Sequence, residues 1–247
     1  MECRLIFDSP ADGAWNMAMD EALRESAGRA GQGGCLRFYG WQAPTLSLGY
    51  FQHHAERQSH APSRDCPLVR RATGGGAIVH DRELTYSFTT ALDTRVRGGL
   101  TSLYEVFHQA FVDDLAVRGI TASLCRLPPP RGSEPEPFLC FQRRAERDVL
   151  LGADKILGSA QRRHRETLLQ HGSVLLQRSA AAPELAGIEE LSGVQIDPRE
   201  LAEAWARRVA ASLGLTLMPG EAAAEERQAA ERFLEDQFTH PRWTARR

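Results

Sequence analysis

The segment from residue 67 to residue 90 constrains the fold more than any other part of the chain. Its sequence, PLVRRATGGGAIVHDRELTYSFTT, predicts a strand, a glycine turn, a strand, a polar turn and a further strand. Three consecutive glycines, Gly74, Gly75 and Gly76, form the first turn. Because they lie between two strands and not between a strand and a helix, the dinucleotide-binding fingerprint and the phosphate loop of nucleotide hydrolases are both excluded.

Glycines in such a turn leave the main chain uncovered, so that a ligand can lie directly against backbone amides. Arg70 and Arg71, just upstream, add positive charge that suits a carbonyl or phosphate group. The alternative is a tight hairpin turn flanked by solvated arginines. The segment therefore predicts either a site of close ligand approach or a simple hairpin.

Periodicity predicts the other elements of the fold. Helical spacing of Trp15, Met19 and Leu23 predicts a helix that Pro10 opens and that ends near Gly28. The runs 36–41 and 45–51 predict two strands joined by a hairpin or a tight connection. Further strands are predicted at 3–7 and near 147–151, 155–160 and 171–176, and a helix is predicted to end near 118. Residues 126–137 hold five prolines and predict an extended, mobile surface loop.

A chain of 247 residues is long enough for one large domain with a substantial core. We expect a catalytic core over residues 1–180 and a C-terminal helical segment, residues 181–247, that packs on it within the same domain. The net charge of −2 excludes a general electrostatic footprint for nucleic acid. No apolar run is long enough for a membrane span and no secretory signal is recognisable, so a cytoplasmic protein is expected.

A cysteine and a lysine form a second candidate site. Cys140 precedes Lys155 by fifteen residues, and a strand–turn–strand between them can bring the two side chains together. A thiol attacks as the thiolate, which a neighbouring ammonium stabilises, and an amine can exchange a proton whereas a guanidinium cannot. Lys155 is also the only lysine among 30 basic residues. The alternative is that Cys140 is a small buried apolar side chain beside Phe138 and Phe141.

Weaker candidates lie elsewhere. Gln-His-Gly-Ser interrupts an apolar strand at His171, which indicates either a ligand packed against the backbone or a hydrogen-bonded core histidine. Asp20 and Glu21 are interpreted as a charge pair on a helix face and not as a catalytic dyad. The spacing of the cysteines and histidines suggests no metal site, so no metal is expected.

Five segments together resemble the lipoate–protein ligase and octanoyltransferase family, whose catalytic fold is shared with biotin ligases. They are NMAMDEAL (16–23), LSLGYFQ (46–52), VRRATGGGAIVHDRELTYS (69–87), DKILGSAQRR (154–163) and LLQHGSVLL (168–176). The resemblance covers roughly residues 4–176. It implies an α/β (α+β) fold, with a mainly antiparallel or mixed sheet and flanking helices around an acyl tunnel.

The resemblance also implies roles for individual residues. Cys140 and Lys155 correspond to the catalytic positions, with the lysine in contact with the reacting carbonyl. The positions that correspond to the acyl pocket are Arg71, Gly74, Gly75, Gly76, His80, Gly158, Ser159, Ala160, His171 and Gly172. Arg70 joins these as a substrate-binding candidate because of its charge.

Cys140-Phe141 stands where the octanoyltransferase branch carries its cysteine. The resemblance therefore implies transfer of an octanoyl group from octanoyl-acyl carrier protein, through a thioester on Cys140, to a lysine of a lipoyl domain or of glycine-cleavage H protein, without a cofactor. One alternative is an ATP-dependent lipoate or octanoate ligase, which would use ATP and magnesium and in which Cys140 is structural. The other is a non-catalytic subunit that binds acyl proteins.

Residues 142–165 carry seven basic and three acidic side chains. The resemblance implies acidic partner proteins, which such a surface could steer toward the site. The alternative is an ordinary solvated face in a chain that is rich in arginine throughout.

Overall fold

A computed structural model of the chain describes residues 1–29, 33–92, 100–126 and 136–247, without the side chains of residues 100–102. The loop predicted for residues 126–137 lies for the most part outside the described residues. The strands in chain order are β1 (Glu2–Phe7), β2 (Gly34–Tyr39), β3 (Thr45–Leu48), β4 (Leu68–Arg70), β5 (Ile78–His80), β6 (Glu83–Ala91), β7 (Ala122–Leu124), β8 (Val149–Leu151), β9 (Asp154–His164), β10 (Thr167–Leu175) and β11 (Thr216–Pro219).

Eight of these strands form one mixed sheet in the order β11-β1-β2-β6-β10-β9-β8-β7. β1 is parallel to both of its neighbours, and the other pairs are antiparallel. Side chains alternate across the central strand β6, so that Leu84, Tyr86 and Phe88 enter the main apolar core while the threonines and the serine between them point to the opposite face. The predicted α/β fold with a mixed sheet is confirmed, and the polar face of its centre is available for a site.

A second sheet has the order β4-β3-β5. β3 pairs in parallel with β4 and antiparallel with β5, so the glycine segment between β4 and β5 crosses from one side of β3 to the other. The alternative of a tight glycine hairpin is therefore wrong. A hairpin between β2 and β3 is also wrong, because these two strands belong to different sheets and only a tight connection joins them.

The helices are α1 (Gly13–Ala27), α2 (Leu100–Val117), α3 (Ile188–Ser192), α4 (Pro198–Leu213), α5 (Ala224–Phe233) and α6 (Pro241–Thr244). Helix α1 begins after Asp12, whose side chain accepts a hydrogen bond from the amide of Trp15 at 2.9 Å, and ends before Gly28. Within the described residues, no helix is both long enough and apolar enough to cross a membrane.

Asp20 and Glu21 of α1 are both buried, which corrects their interpretation as a charge pair on a helix face. Asp20 forms an ion pair with Arg37 at 2.9 Å, and Glu21 forms one with Arg24 at 2.9 Å. The helix packs against the polar face of the sheet, so its charged side chains are satisfied inside the protein and not by water.

The C-terminal segment contributes to the main core. Trp205 of α4 is fully buried, donates a hydrogen bond to the carbonyl oxygen of Phe107 at 2.8 Å, and contacts Tyr86 with ring centroids 4.8 Å apart. The segment is not wholly helical, because β11 extends the sheet as a parallel neighbour of β1. Residues 181–247 therefore share one core and one sheet with the preceding residues.

Replacing Trp205 with alanine is expected to lower the free energy of unfolding by about 3–5 kcal/mol, because it leaves a large cavity among packed aromatic rings. Denaturant titration followed by circular dichroism measures this loss. A matched control is Trp15→Ala in α1, where the side chain is only half-buried and a smaller loss is expected. Equal losses in the two variants would contradict the central place of Trp205 in the core.

Candidate active site

A single cleft collects most of the predicted site residues between the glycine segment and the strands β9 and β10. It encloses about 500 Å³ of space, its open mouth included. Eleven of the thirteen predicted site residues line it: Arg71, Gly74, Gly75, His80, Cys140, Lys155, Gly158, Ser159, Ala160, His171 and Gly172. Met17, Ile78 and Phe141 add apolar surface to the wall.

Arg71 holds the glycine loop, residues 73–77, from inside the protein. Its guanidinium donates hydrogen bonds to the carbonyl oxygens of Gly74 at 2.9 Å and Gly76 at 2.6 Å. Burial lowers the pKa of Arg71 to about 10, and a negative charge on Cys140 would act in the opposite direction. The arginine therefore shapes the loop and also brings a positive charge toward the cysteine.

Cys140 begins a short 3-10 turn, Cys140–Gln142, beside the glycine loop. Its amide donates to the carbonyl oxygen of Ala77 at 2.7 Å, so the backbone joins the cysteine segment to the loop. Gly75 has a φ of 95°, and a Cβ added there would lie 3.7 Å from the sulfur. The thiol is partly exposed to the cleft, which contradicts the alternative of a buried apolar cysteine.

Lys155 approaches Cys140 from β9. Its Nζ lies 3.9 Å from the cysteine Sγ and 2.8 Å from Oδ2 of Asp148. The side chain crosses Gly158 closely, since a Cβ there would lie 2.4 Å from the lysine Cε. Burial raises the pKa of Asp148, and the charge of Lys155 opposes this effect. The sequence places Cys140 and Lys155 together correctly, and the structure adds a carboxylate as their neighbour.

His171 of β10 links the glycine loop to α1. Its Nδ1 lies 3.2 Å from Oδ2 of Asp20, and its Nε2 lies 2.7 Å from the hydroxyl of Thr73. Burial raises the pKa of Asp20, but the hydrogen bond from His171 and the charge of Arg37 keep it below its usual value. Since the carboxylate only accepts, Nδ1 carries a proton in its contact with Asp20. His171 thus fits both of its interpretations: it is hydrogen-bonded in the core and it lines the cleft.

His80 belongs to a second polar cluster in the cleft. Its Nδ1 lies 2.8 Å from Oε1 of Glu83, which also accepts hydrogen bonds from Ser173 and Thr85. The ring of Trp41 stacks on the imidazole with centroids 3.9 Å apart. Burial lowers the pKa of His80, although the charge of Glu83 raises it. These contacts fix the ring against the wall of the cleft.

Ser159 belongs to an oriented chain of hydrogen bonds. His108 of α2 donates from Nδ1 to the carbonyl oxygen of Arg147 at 2.6 Å, and its Nε2 lies 2.7 Å from the hydroxyl of Ser159. Burial lowers the pKa of His108 to about 4, so its Nε2 accepts the serine proton at neutral pH. Tyr86 therefore donates to Ser159 at 2.7 Å and accepts from Gln170 at 2.8 Å. Because the Ser159 proton is donated to His108, the serine hydroxyl can only accept a hydrogen bond from a ligand.

Residues 12–202 match the lipoyl protein ligase A/B catalytic domain over most of the chain's length. The chain belongs to this family. The octanoyltransferase LipM of Kyrpidia tusciae is 33% identical over 94% of this chain and 94% of its own length. The octanoyltransferase LipM of Symbiobacterium thermophilum is 32% identical over 99% of this chain and 98% of its own length. The predicted family and its octanoyltransferase branch are confirmed.

Solved structures of the lipoyl protein ligase family show the same fold. The crystal structure of lipoate-protein ligase A bound with ATP has a TM-score of 0.79, 23% identity and coverage of 99% of both chains. A bi-partite lipoate protein ligase from Thermoplasma acidophilum, described with its E2 lipoyl domain, has a TM-score of 0.76 and 22% identity over 99% of this chain and 96% of that chain. At these identities the likeness concerns the fold alone.

Arg70, expected to bind substrate in this lipoyl protein ligase domain, does not reach the cleft. Its buried guanidinium donates to the carbonyl oxygens of Gly49 at 2.9 Å, Gln52 at 2.7 Å and Thr244 at 2.9 Å. Arg71, the next residue along the chain, lines the cleft instead. Gly76 also lies outside the lining, where a Cβ would come within 2.8 Å of the Arg143 side chain. Arg70 therefore ties residues 49–52 to helix α6, Gly76 packs against Arg143, and neither residue lines the cleft.

The basic surface predicted for residues 142–165 is partly neutralised. Lys155 is buried against Asp148, and three of the arginines form ion pairs with acids outside the segment: Arg143 with Glu136, Arg147 with Glu105 and Arg162 with Glu21. The remaining charge is smaller than the residue count indicates. Steering of an acidic partner by this surface stays a prediction.

Sequence reasoning missed three buried polar residues that contact the side chains lining the cleft. Asp148 was counted only as one acid within a basic segment, and Asp20 only as part of a helix-face pair. His108 lies within an apolar helix and carries no motif of its own. The β8–β9 hairpin could have indicated the position of Asp148. Its turn at Gly152 brings the chain back, so that the start of β9 with Lys155 lies beside β8.

Proposed function

We propose that this octanoyltransferase moves an octanoyl group from acyl carrier protein to a lysine of a lipoyl-accepting protein through a thioester on Cys140. The observation that carries the proposal is the pair of Cys140 Sγ and Lys155 Nζ, 3.9 Å apart in the wall of the cleft. A thiol beside an amine can act as a nucleophile with its own proton donor and acceptor. Octanoyltransferase is also the activity named for the relatives from Kyrpidia tusciae and Symbiobacterium thermophilum.

The cleft suits an aliphatic acyl chain. Met17, Ile78 and Phe141 supply apolar contacts, and the glycines of the loop allow the chain to lie close to the backbone. Each buried methylene contributes roughly 0.8 kcal/mol, so an octanoyl donor is favoured strongly over an acetyl donor. The open mouth admits the protein-bound end of the donor and, later, the acceptor lysine.

The reaction proceeds in two acyl transfers. The Cys140 thiolate attacks the thioester carbonyl of the donor, and Lys155 protonates the departing phosphopantetheine sulfur. The acceptor lysine then attacks the Cys140 thioester, and Lys155 takes up the proton that the amine loses. The products are an octanoyl amide on the acceptor, the free phosphopantetheine thiol of the carrier and a regenerated Cys140 thiolate beside a protonated Lys155.

Backbone amides stabilise the oxyanion of each tetrahedral intermediate. Gly74 and Gly75 line the cleft beside Cys140, and the hydrogen bonds of the described residues leave the amides of both unused. The oxyanion is expected to accept hydrogen bonds from these amides. Arg71 supports this arrangement by fixing the carbonyl oxygen of Gly74 on the far side.

The acceptor is a lipoyl domain or glycine-cleavage H protein, and no metal or organic cofactor takes part. Support for a lipoyl domain comes from the Thermoplasma acidophilum ligase, which is described with its E2 lipoyl domain. The division into a catalytic core, residues 1–180, and a C-terminal segment, residues 181–247, stays a prediction.

A comparison of donors tests the proposal. Octanoyl-acyl carrier protein alone is expected to octanoylate a lipoyl domain, whereas free octanoate with ATP and magnesium is expected to give no product. Mass spectrometry of the lipoyl domain measures both. Activity with free octanoate and ATP only would identify a ligase, and tight carrier binding without turnover would identify a non-catalytic subunit.

A further inference from the structure

Asp148 contacts Lys155, which in turn approaches the nucleophile Cys140. Lys155 Nζ lies 3.9 Å from Cys140 Sγ and 2.8 Å from Asp148 Oδ2. The side chains of Lys155 and Asp148 are only 4% and 7% exposed, so water stabilises neither charge. A buried ammonium is costly unless an opposite charge lies beside it. Asp148 supplies that charge.

The backbone holds Asp148 in this position. Its Oδ2 also accepts a hydrogen bond from the amide of Ala145 at 2.7 Å, and its carbonyl oxygen accepts one from the amide of Cys125 at 2.7 Å. The preceding residue, Arg147, has a φ of 73°, and His108 donates to its carbonyl oxygen. A non-glycine residue with a left-handed backbone is uncommon and needs surrounding contacts to hold it. The carboxylate is therefore aimed at Lys155 by contacts that do not involve Lys155.

We propose that Asp148 is a positioning residue that keeps Lys155 charged and receives a proton from it during acyl transfer. This inference rests on the proposed function. When the S–H bond of Cys140 breaks, the proton passes to Lys155 while Lys155 passes one to Asp148. The result is a thiolate, an ammonium and a carboxylic acid.

The same proton path serves both transfers. After the thiolate attacks the donor, the expelled donor thiolate takes a proton from Lys155, and Asp148 returns its proton to Lys155. In the second transfer the acceptor amine loses a proton to Lys155, which again passes one to Asp148. The leaving Cys140 thiolate then takes a proton back along the same path, so the three groups end as they began.

The other titratable groups near Asp148 do not compete for this role. Burial raises the pKa of Asp148, which makes it a better proton acceptor than an exposed carboxylate. Burial and the charge of Lys155 lower the pKa of His108 to about 4, so it is neutral. Burial and the charge of Asp148 raise the pKa of Tyr104 to about 12, so it is neutral as well. Asp148 thus exchanges protons with Lys155 and, through it, with Cys140.

Variants of Asp148 test its effect on turnover. Asp148→Asn is expected to lower kcat on the order of 10²-fold or more while KM for the octanoyl donor is unchanged, because the cleft wall is intact. Asp148→Glu restores part of kcat. Asp154→Asn is the matched control, since this acid is exposed and adjoins Lys155 in the sequence, and wild-type kcat is expected.

Lys155 itself provides a readout that does not depend on octanoyl transfer. Formaldehyde with cyanoborohydride methylates only unprotonated amines, and Lys155 is the only lysine in the chain. Peptide mass spectrometry at neutral pH is expected to show faster methylation of Lys155 in folded Asp148→Asn than in wild type, because the ammonium has lost its partner. The N-terminal amine serves as the internal reference, and Asp148→Glu and Asp154→Asn are expected to match wild type.

Two results would overturn the inference. One is equal methylation of Lys155 in wild type and in Asp148→Asn. The other is faster methylation with wild-type kcat, which would leave Asp148 without a role in the reaction. A wild-type protein that forms no octanoyl thioester would refute the proposed function instead, and the methylation comparison would still decide whether Asp148 keeps Lys155 charged. If Asp148→Asn does not fold, Asp148→Ser provides the same comparison.

Discussion

Replacing Cys140 with alanine is expected to abolish octanoyl transfer, with a loss on the order of 10³-fold or more. The thiol is the nucleophile of the proposed reaction, and its loss removes the covalent route while the cleft and Lys155 remain. Intact-protein mass spectrometry after mixing with octanoyl-acyl carrier protein is expected to show one octanoyl group on wild type and none on Cys140→Ala. Peptide mapping is expected to assign that group to Cys140.

Cys66→Ala is the matched control for this experiment. Cys66 and Cys140 are the two cysteines that are not fully buried, so both are accessible to reagents. Cys66 does not line the cleft, and the Cys66→Ala variant is expected to keep both the thioester and the turnover. Turnover by a wild-type protein whose Cys140 stays unmodified would rule out the thioester route.

Periodicity identified the elements of the fold but not all of their partners. Alternating apolar residues predicted the strands at 67–90 correctly, because one or both faces of each strand are buried. The same pattern contains no information on which strand lies alongside. β4 and β5 are only three residues long, and both pair with β3 and not with each other. The glycine segment therefore resembled a hairpin although it crosses the end of β3.

The site could be predicted where its residues lie within one motif. The glycine loop and the Lys155 segment are contiguous in sequence, and their glycines are required by close approaches such as that of Gly158 to Lys155. The contact between Asp148 and Lys155 depends instead on an irregular register between β8 and β9. The contact between Asp20 and His171 joins residues 151 positions apart. Arg70 is the opposite case. Its charge suggested that it binds a ligand, but its guanidinium donates to backbone carbonyl oxygens, and this contact depends on tertiary packing that the sequence does not show.

Replacing Lys155 with arginine is expected to lower kcat by about 10²–10⁴-fold although the charge is kept. A guanidinium does not release its proton, so the leaving sulfur is not protonated and the acceptor amine is not deprotonated.

The reverse exchange on the same strand, Arg163→Lys, is the matched control. Arg163 is exposed and does not line the cleft, so this variant is expected to keep wild-type turnover and stability. Lys155→Arg is expected to unfold in one cooperative transition like wild type, because Asp148 still has a cationic partner. Steady-state kinetics with octanoyl-acyl carrier protein and thermal unfolding measure the two properties. Near-normal kcat in Lys155→Arg would show that the only lysine of this chain supplies charge alone and no proton.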